Sequence, residues 1–301
     1  MVVVELLVNV MGPVVLMVVL GWLAGSRMEF DVPTLSRLAF WVLGPIFVLD
    51  VFANAELDTS TVVKLTVGGL AAMAIGGVVT YGLARSLNVT PSRTKAAAMT
   101  STYGNVGNAG LAICAFAFGD DAVPAAAVLM IVVNTTGIFT GVALASAQTS
   151  GIGSAMRRSL FTPMTIAAVI AMALNVASWE FPLALDRAIS IAGGALIPLM
   201  LITLGLQLAG NFKLEVNTDL GIVIGVKLIL VPLAAAGVGY LIGLRNQDLG
   251  VLVIQSCMPP AVFTAVVALE FDLEPERVTR TVLSATLIAL MTIPAALLIV
   301  G

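Results

Sequence analysis

Long apolar stretches alternate with short polar turns along the whole chain. Each stretch holds about 18 to 25 mostly apolar residues, the length that an α-helix needs to cross about 30 Å of hydrocarbon. The pattern predicts an all-α integral membrane protein with ten transmembrane helices. They are placed near 3–25, 35–55, 61–85, 94–118, 122–147, 160–178, 184–209, 219–243, 248–270 and 277–300.

Composition narrows the functional class. Hydrophobic residues make up 59% of the chain and charged residues 10%, whereas soluble domains carry about 25% charge. A net charge of -3 gives no basic surface for nucleic acid. The chain has no histidine, which removes Ser–His dyads and His-dependent metalloproteases, so we expect no enzyme and no cofactor. Cys114 and Cys257 lie in apolar stretches and are interpreted as buried thiols, not as a disulfide.

Lysine and arginine predict the orientation in the membrane, because cytoplasmic loops are enriched in both. The even-numbered loops hold only Lys64, Arg187 and Arg245. The odd-numbered loops are therefore expected in the cytoplasm and both termini outside, in the cell membrane. These odd loops hold or adjoin Arg27, Arg37, Arg85, Arg93, Lys95, Arg157, Arg158, Lys213, Arg277 and Arg280.

Two halves of the chain resemble each other. The second predicted helix reads Leu-Gly-Pro-Ile at 43–46, and the seventh reads Leu-Ile-Pro-Leu at 196–199. We therefore divide the chain into a first five-helix repeat, 1–147, a cytoplasmic linker, 148–159, and a second repeat, 160–301. Because five is odd, the second repeat enters from the opposite side, which gives the inverted repeat typical of secondary transporters.

The fourth and ninth predicted helices are interrupted near their centres. Residues 100–110 hold three glycines and two asparagines, and residues 255–261 hold two consecutive prolines. Backbone groups freed there must face protein or a water-filled cavity, and helix N-termini favour anions. The pattern predicts a substrate site, although such residues also simply kink and pack membrane helices. Its candidate residues are Gly104, Asn105, Asn108, Gln255, Pro259 and Pro260, with Asn134 and Ser284 either joining them or only bonding neighbouring helices.

These segments resemble a known family of transporters. The run 255–259, the run 267–276 and the spacing of Asn105 and Gly110 are similar to the auxin efflux carrier family. The resemblance implies a prokaryotic-type member with broken helices that cross, a fold shared with bile-acid symporters and sodium/proton antiporters. It also implies a scaffold of helices 1, 2, 6 and 7, and a mobile transport domain of helices 3–5 and 8–10. Ala112 and the second proline of the pair depart from the family pattern.

Two isolated charges carry functional hypotheses. Lys227 lies inside the eighth predicted helix, where an ammonium is costly in lipid. In the fold that the resemblance implies, it would take the role of a bound sodium ion, or else it snorkels to the headgroups. Asp50, in the second helix, either couples transport to protons or lies at the outer mouth.

The resemblance implies a secondary carrier of small organic anions, auxin-like or malate- and malonate-like, moving by an elevator mechanism in a homodimer without sodium. One alternative is a sodium-coupled symporter of the bile-acid type, with oxygen ligands from Asn105, Asn108 and Gln255. Another class, a channel or membrane sensor, also fits polar interrupted helices. The expected partners are the small organic anion that is transported and the lipid bilayer. We expect no metal site.

Overall fold

The computed structural model describes residues 7–53, 55, 58–145, 161–209, 218–270 and 273–300. Within these ranges the regular structure is helical, and strand-like pairing is limited to one bridge between Gly104 and Pro260. The all-α class is thereby confirmed. The linker 148–159 and the basic residues Arg157, Arg158 and Lys213 lie outside the described residues, and the membrane orientation stays a prediction.

Helices occupy the apolar stretches that the sequence pattern marks. In chain order the described helices are α1 (Val8–Gly25), α2 (Val32–Ala53), α3 (Thr59–Ser86), α4 (Pro91–Thr102), α5 (Val106–Phe118), α6 (Val123–Ala145), α7 (Pro163–Val176), α8 (Leu183–Leu208), α9 (Thr218–Leu241), α10 (Asn246–Ser256), α11 (Phe263–Glu270) and α12 (Pro275–Val300). Of these, α1, α2, α3, α8, α9 and α12 are each long and apolar enough to cross a membrane, and α5 and α7 are shorter apolar helices.

Local chemistry sets several helix boundaries. The Asp58 carboxylate accepts a hydrogen bond of 2.7 Å from the backbone N–H of Thr61 and so caps α3. The Thr162 hydroxyl caps α7 in the same way. Proline stands in the first turn of α4 and α7, where its missing N–H costs nothing. Gly119, with a φ of 87°, ends α5 in a conformation that other residues rarely adopt.

The helices pack in two groups. In the first group, α1 lies along the second part of α8, and α2 packs against α7 and the first part of α8. A methyl group on Gly21 would overlap the carbonyl of Ile202, so α1 and α8 meet at backbone distance. In the second group, α3 packs against α4, α6, α9 and α10. The two interrupted segments lie at the meeting of these groups, because the first turn of α5 also packs against α8.

Candidate transport site

The two helix interruptions are bonded to each other. Helix α4 ends at Thr102 and α10 ends at Ser256. Between the breaks, the Asn105 N–H donates to the carbonyl oxygen of Pro259 at 2.7 Å, and the Ala261 N–H donates to that of Tyr103 at 3.0 Å. Backbone groups that leave a helix inside a membrane need such partners, because lipid offers none. The breaks therefore form one structural unit, with Pro259 and Pro260 both buried in it.

Lys227 lies against this unit. Its side chain is only 4% exposed, and its ammonium donates to the carbonyl oxygen of Ser256 at 3.2 Å. That carbonyl belongs to the last turn of α10, where helix carbonyls lack a partner and the partial charge is negative. The snorkelling interpretation of Lys227 is wrong, since its charge points to the protein interior. Gly104 permits this approach, because a methyl group there would lie 3.1 Å from Nζ of Lys227.

A small cavity of about 20 Å³ adjoins the ammonium. This volume accommodates one water molecule, so the structure is closed around the breaks, and a larger molecule requires a rearrangement to enter. The cavity is lined by Gly69, Ala72, Met73, Thr102, Gly104, Val106, Leu129, Val133, Lys227, Val231, Gln255 and Ser256.

Of the two polar atoms of the Gln255 carboxamide, only the nitrogen has a hydrogen-bond partner among the described residues. Its Nε2 donates to the carbonyl oxygen of Ala126 at 3.3 Å, while its Oε1 is buried without a hydrogen-bond partner among the described residues. A methyl group on Gly110 would overlap Oε1. Gly110 therefore provides the space in which the carboxamide lies, and the amide presents an unused acceptor beside the breaks.

Asn105 presents the complementary group. It lies just before α5, but its side chain makes no capping hydrogen bond. In the part of the chain that the structure describes, its buried Nδ2 has no partner. A buried donor without a partner costs about 1–3 kcal/mol. Such a group is suited to a ligand that supplies the missing acceptor, as a carboxylate does.

The remaining predicted residues have different surroundings. Asn134 accepts a hydrogen bond from the hydroxyl of Tyr103 and so meets the breaks through that residue. Ser284 on α12 is fully buried, and its hydroxyl has no partner among the described residues. Asn108 is half-buried in the first turn of α5.

Asp50 belongs to the other group of helices. A methyl group on Gly193 would lie 3.1 Å from its Oδ2, so the carboxylate faces the first part of α8. It is not among the residues that line the cavity beside Lys227. The structure does not place Asp50 with the other candidates.

Two residues with central contacts, Tyr103 and Asp219, were not predicted from the sequence. The carbonyl of Tyr103 accepts the Ala261 N–H, and its hydroxyl donates to Asn134. The only indication in the sequence was the position of this tyrosine directly before Gly104. Asp219 is buried at the start of α9, where Arg93 bonds it through Nε and Nη2, both at 2.9 Å, and Arg277 through Nη1 at 3.1 Å. These ion pairs join the first turns of α4, α9 and α12.

Comparison with known proteins shows the class to which the chain belongs. A family model described as membrane transport protein matches residues 146–297. An "Uncharacterized transporter" of Methanothermobacter thermautotrophicus is 29% identical over 288 residues, covering 93% of this chain and 94% of the relative. The "Uncharacterized transporter YfdV" of Escherichia coli is 23% identical over 295 residues, 94% of each chain. A "Putative malonate transporter" of Rhizobium meliloti is 24% identical and covers 66% of this chain and 64% of the relative.

These relatives are transporters and not enzymes. The family model covers half of the chain, and the first relatives cover nearly all of it. The match agrees with the family resemblance of the interrupted helices. The chain belongs to the membrane transport protein family, the family of the auxin efflux carriers.

Proposed function

We propose that the protein is a secondary carrier of small organic anions that works by an elevator-type alternating-access mechanism without sodium. The observation that carries the proposal is the buried Lys227 ammonium, which lies against the paired breaks of two interrupted helices. In this proposal the ten spans form an inverted repeat whose broken helices cross at that point, and the carrier is a homodimer in the cell membrane with both termini outside.

Three features of the site favour an anion. The Lys227 ammonium places a positive group beside the breaks. Helices α5 and α11 both begin at the breaks, and free N–H groups at helix N-termini attract negative charge. The unpaired Nδ2 of Asn105 is a hydrogen-bond donor. A carboxylate would meet all three, and the name of the Rhizobium meliloti relative makes malonate and related dicarboxylates the first candidates.

The closed packing favours a carrier over a channel. The cavity beside Lys227 holds about one water, so each substrate molecule would require a movement of the helices. In the elevator mechanism, the group built on α3, α4, α5, α6 and α9 to α12 moves along the group of α1, α2, α7 and α8. A cycle of this kind saturates with substrate and supports counterflow, whereas a channel does neither.

Lys227 also supports independence from sodium. An ammonium against the Ser256 carbonyl of α10 fills the role of a bound cation and repels a second one. The competing candidate is a sodium-coupled symporter, and the unpaired Oε1 of Gln255 is the observation in its favour, since sodium binds oxygen ligands. The two candidates differ in a single measurable quantity, the stimulation of uptake by sodium.

Purified protein in liposomes tests the proposal. Counterflow of radiolabelled malonate, with a panel of mono- and dicarboxylates as competitors, is measured in sodium and in choline buffers. We expect saturable counterflow that is equal in both buffers and strongly reduced in Asn105→Ala at normal insertion. Non-saturating flux would instead identify a channel, and sodium stimulation would identify the symporter. Wild-type kinetics in Asn105→Ala would remove Asn105 from the site.

A further inference from the structure

The side chain of Tyr103 connects the paired breaks to a neighbouring helix. Its ring is 7% exposed and packs on Phe263, at 5.5 Å between ring centroids, at the start of α11. A methyl group on Gly137 would overlap the ring, so α6 gives it space by carrying a glycine there. The position of the Tyr103 hydroxyl is therefore fixed by both broken helices and by α6.

The hydroxyl begins a chain of polar contacts that leaves the site. It donates a hydrogen bond to Oδ1 of Asn134 on α6. The Nδ2 of the same amide donates to Sδ of Met164 on α7, 3.6 Å away. Met164 is buried between α6 and α2, since a methyl group on Gly44 would overlap its Cε. The chain thus runs from a broken helix to the group of α1, α2, α7 and α8.

A second contact crosses the same boundary next to the first. The hydroxyls of Thr135 on α6 and Thr165 on α7 lie 3.3 Å apart. Among the described residues, Thr165 bonds Thr135 and Thr162 and not Tyr103, so this contact provides a matched comparison. We call the two contacts between α6 and α7 the seam.

We propose that Tyr103 is a positioning residue whose hydroxyl latches the paired breaks to the seam and holds the closed state. The inference rests on the proposed function, because a latch matters only if α6 moves along α7. The carbonyl of Tyr103 accepts the Ala261 N–H, so a substrate that displaces the breaks also displaces the Tyr103 ring and hydroxyl. Asn134 then loses its fixed orientation towards Met164, and the seam opens.

Hydrogen–deuterium exchange of the substrate-free protein in lipid nanodiscs tests the latch. Opening of the breaks is measured as the exchange rate of peptides that cover 100–110, 255–265 and 161–168, under conditions where the rate is proportional to the open population. Tyr103→Phe keeps the ring and removes only the hydroxyl. We expect about five-fold faster exchange in all three peptides, the effect of one typical hydrogen bond.

Four further variants decide what the result means. Asn134→Ala is expected to reproduce the change, and the double variant is expected to add nothing, because both break the same chain. Thr135→Val removes the other seam contact and should leave exchange at 255–265 unchanged. Tyr81→Phe removes a tyrosine hydroxyl on an exposed position of α3 and should change none of the peptides. Exchange in Tyr103→Phe equal to that in Tyr81→Phe, or additive effects in the double variant, would overturn the latch.

A separate arm tests the movement itself. Thr135→Cys with Thr165→Cys, in a chain whose two native cysteines are alanine, is oxidised with copper-phenanthroline and dissolved oxygen. We expect the disulfide to block malonate counterflow until it is reduced. Full counterflow with the disulfide in place would contradict movement at the seam, and therefore the elevator proposal. The exchange experiment is made without substrate, so it tests the latch independently of transport. If Tyr103→Phe yields no folded protein, the exchange rates of Asn134→Ala and Thr135→Val are compared instead, and faster exchange at 255–265 in Asn134→Ala alone is the result that the latch predicts.

Discussion

The backbone N–H of Asn105 lies 2.7 Å from the carbonyl oxygen of Pro259, one residue from the bridge between Gly104 and Pro260. This bond explains why the helix interruptions occur as a pair. Each break frees backbone groups that lipid cannot satisfy, and each supplies the partner that the other lacks. A change that closes one break into a regular helix would therefore leave groups of the other break without partners.

The space for Gln255 gives the first prediction. Gly110→Ala places a methyl group on the position of Oε1 and forces the carboxamide away from Ala126. We expect counterflow to fall by about ten-fold or more, because a buried hydrogen bond is lost and the amide is moved. The protein should still insert into the membrane and run as a single peak in size-exclusion chromatography.

Gly82→Ala is the matched control for this change. A methyl group on Gly82 in α3 would meet no atom within 4 Å. The variant is expected to transport as the wild type does, since alanine also favours the helix. Equal transport in both alanine variants would show that the position of Gln255 does not matter for transport.

The ion pairs of Asp219 give the second prediction. Asp219→Asn replaces the carboxylate that accepts from Arg93 and Arg277 by a neutral amide with one acceptor oxygen, so both ion pairs lose their negative partner. Removing one partner of a buried pair costs about 3–5 kcal/mol. The arginines here are 28% and 27% exposed, so we expect about 2 kcal/mol and a clearly lower apparent Tm in detergent.

Glu276→Gln serves as the comparison for Asp219→Asn. It removes an exposed ion pair with Arg280, at 3.5 Å. Exposed pairs contribute little to stability, and we expect an unchanged Tm. A Tm drop of similar size in both variants would mean that burial of Asp219 does not determine the effect.

The cap of α3 predicts a dependence on pH. The backbone N–H of Thr61, helped by its hydroxyl, holds the pKa of Asp58 below its ordinary value of 3.8. A carboxyl whose pKa is lower in the folded state stabilises the protein above its unfolded-state pKa, and this stabilisation is lost as the pH falls through the folded-state pKa. Asp58→Ala should therefore lower the Tm at neutral pH.

The difference between Asp58→Ala and the wild type should shrink as the pH is lowered towards about 3. Thermal unfolding in lipid nanodiscs over this range measures it. Asp58→Asn retains an acceptor for Thr61 and is expected to lie between the two at neutral pH. A Tm difference that does not change with pH would mean that the charge of Asp58 has no part in the cap.

The apolar helices and the two interruptions were predictable because they depend on local chemistry. Apolar runs have the length of the bilayer, and the glycine- and asparagine-rich run 104–110 and the pair Pro259 and Pro260 weaken their helices. A single proline does not suffice, since Pro294 lies inside α12. The burial of Cys114 and Cys257 as free thiols was confirmed for the same reason. The number of spans, the inverted repeat and the crossing stay predictions.

The contacts between helices were not predictable from one sequence. Lys227 lies inside its helix at a depth that allowed both snorkelling and burial, and only the packing of α9 on α10 decides between them. In the sequence, Asp219 resembles an ordinary polar residue at the end of a transmembrane span. Arg93 and Arg277, which bond it in the structure, lie far from it in the chain. Tyr103 resembles any other aromatic residue of an apolar helix in the sequence, and only the structure shows that its hydroxyl donates to Asn134.

Lys227 gives the last prediction. If its ammonium replaces a sodium ion, counterflow by the wild type should be the same in sodium and in choline. Lys227→Met should lower counterflow by about ten-fold, because the carbonyl of Ser256 then lies buried without its donor. Lys227→Arg is not expected to restore transport, since the planar guanidinium is larger than the space left by Gly104 beside Nζ. Clear stimulation of the wild type by sodium, together with normal counterflow in Lys227→Met, would show that this lysine has no part in transport.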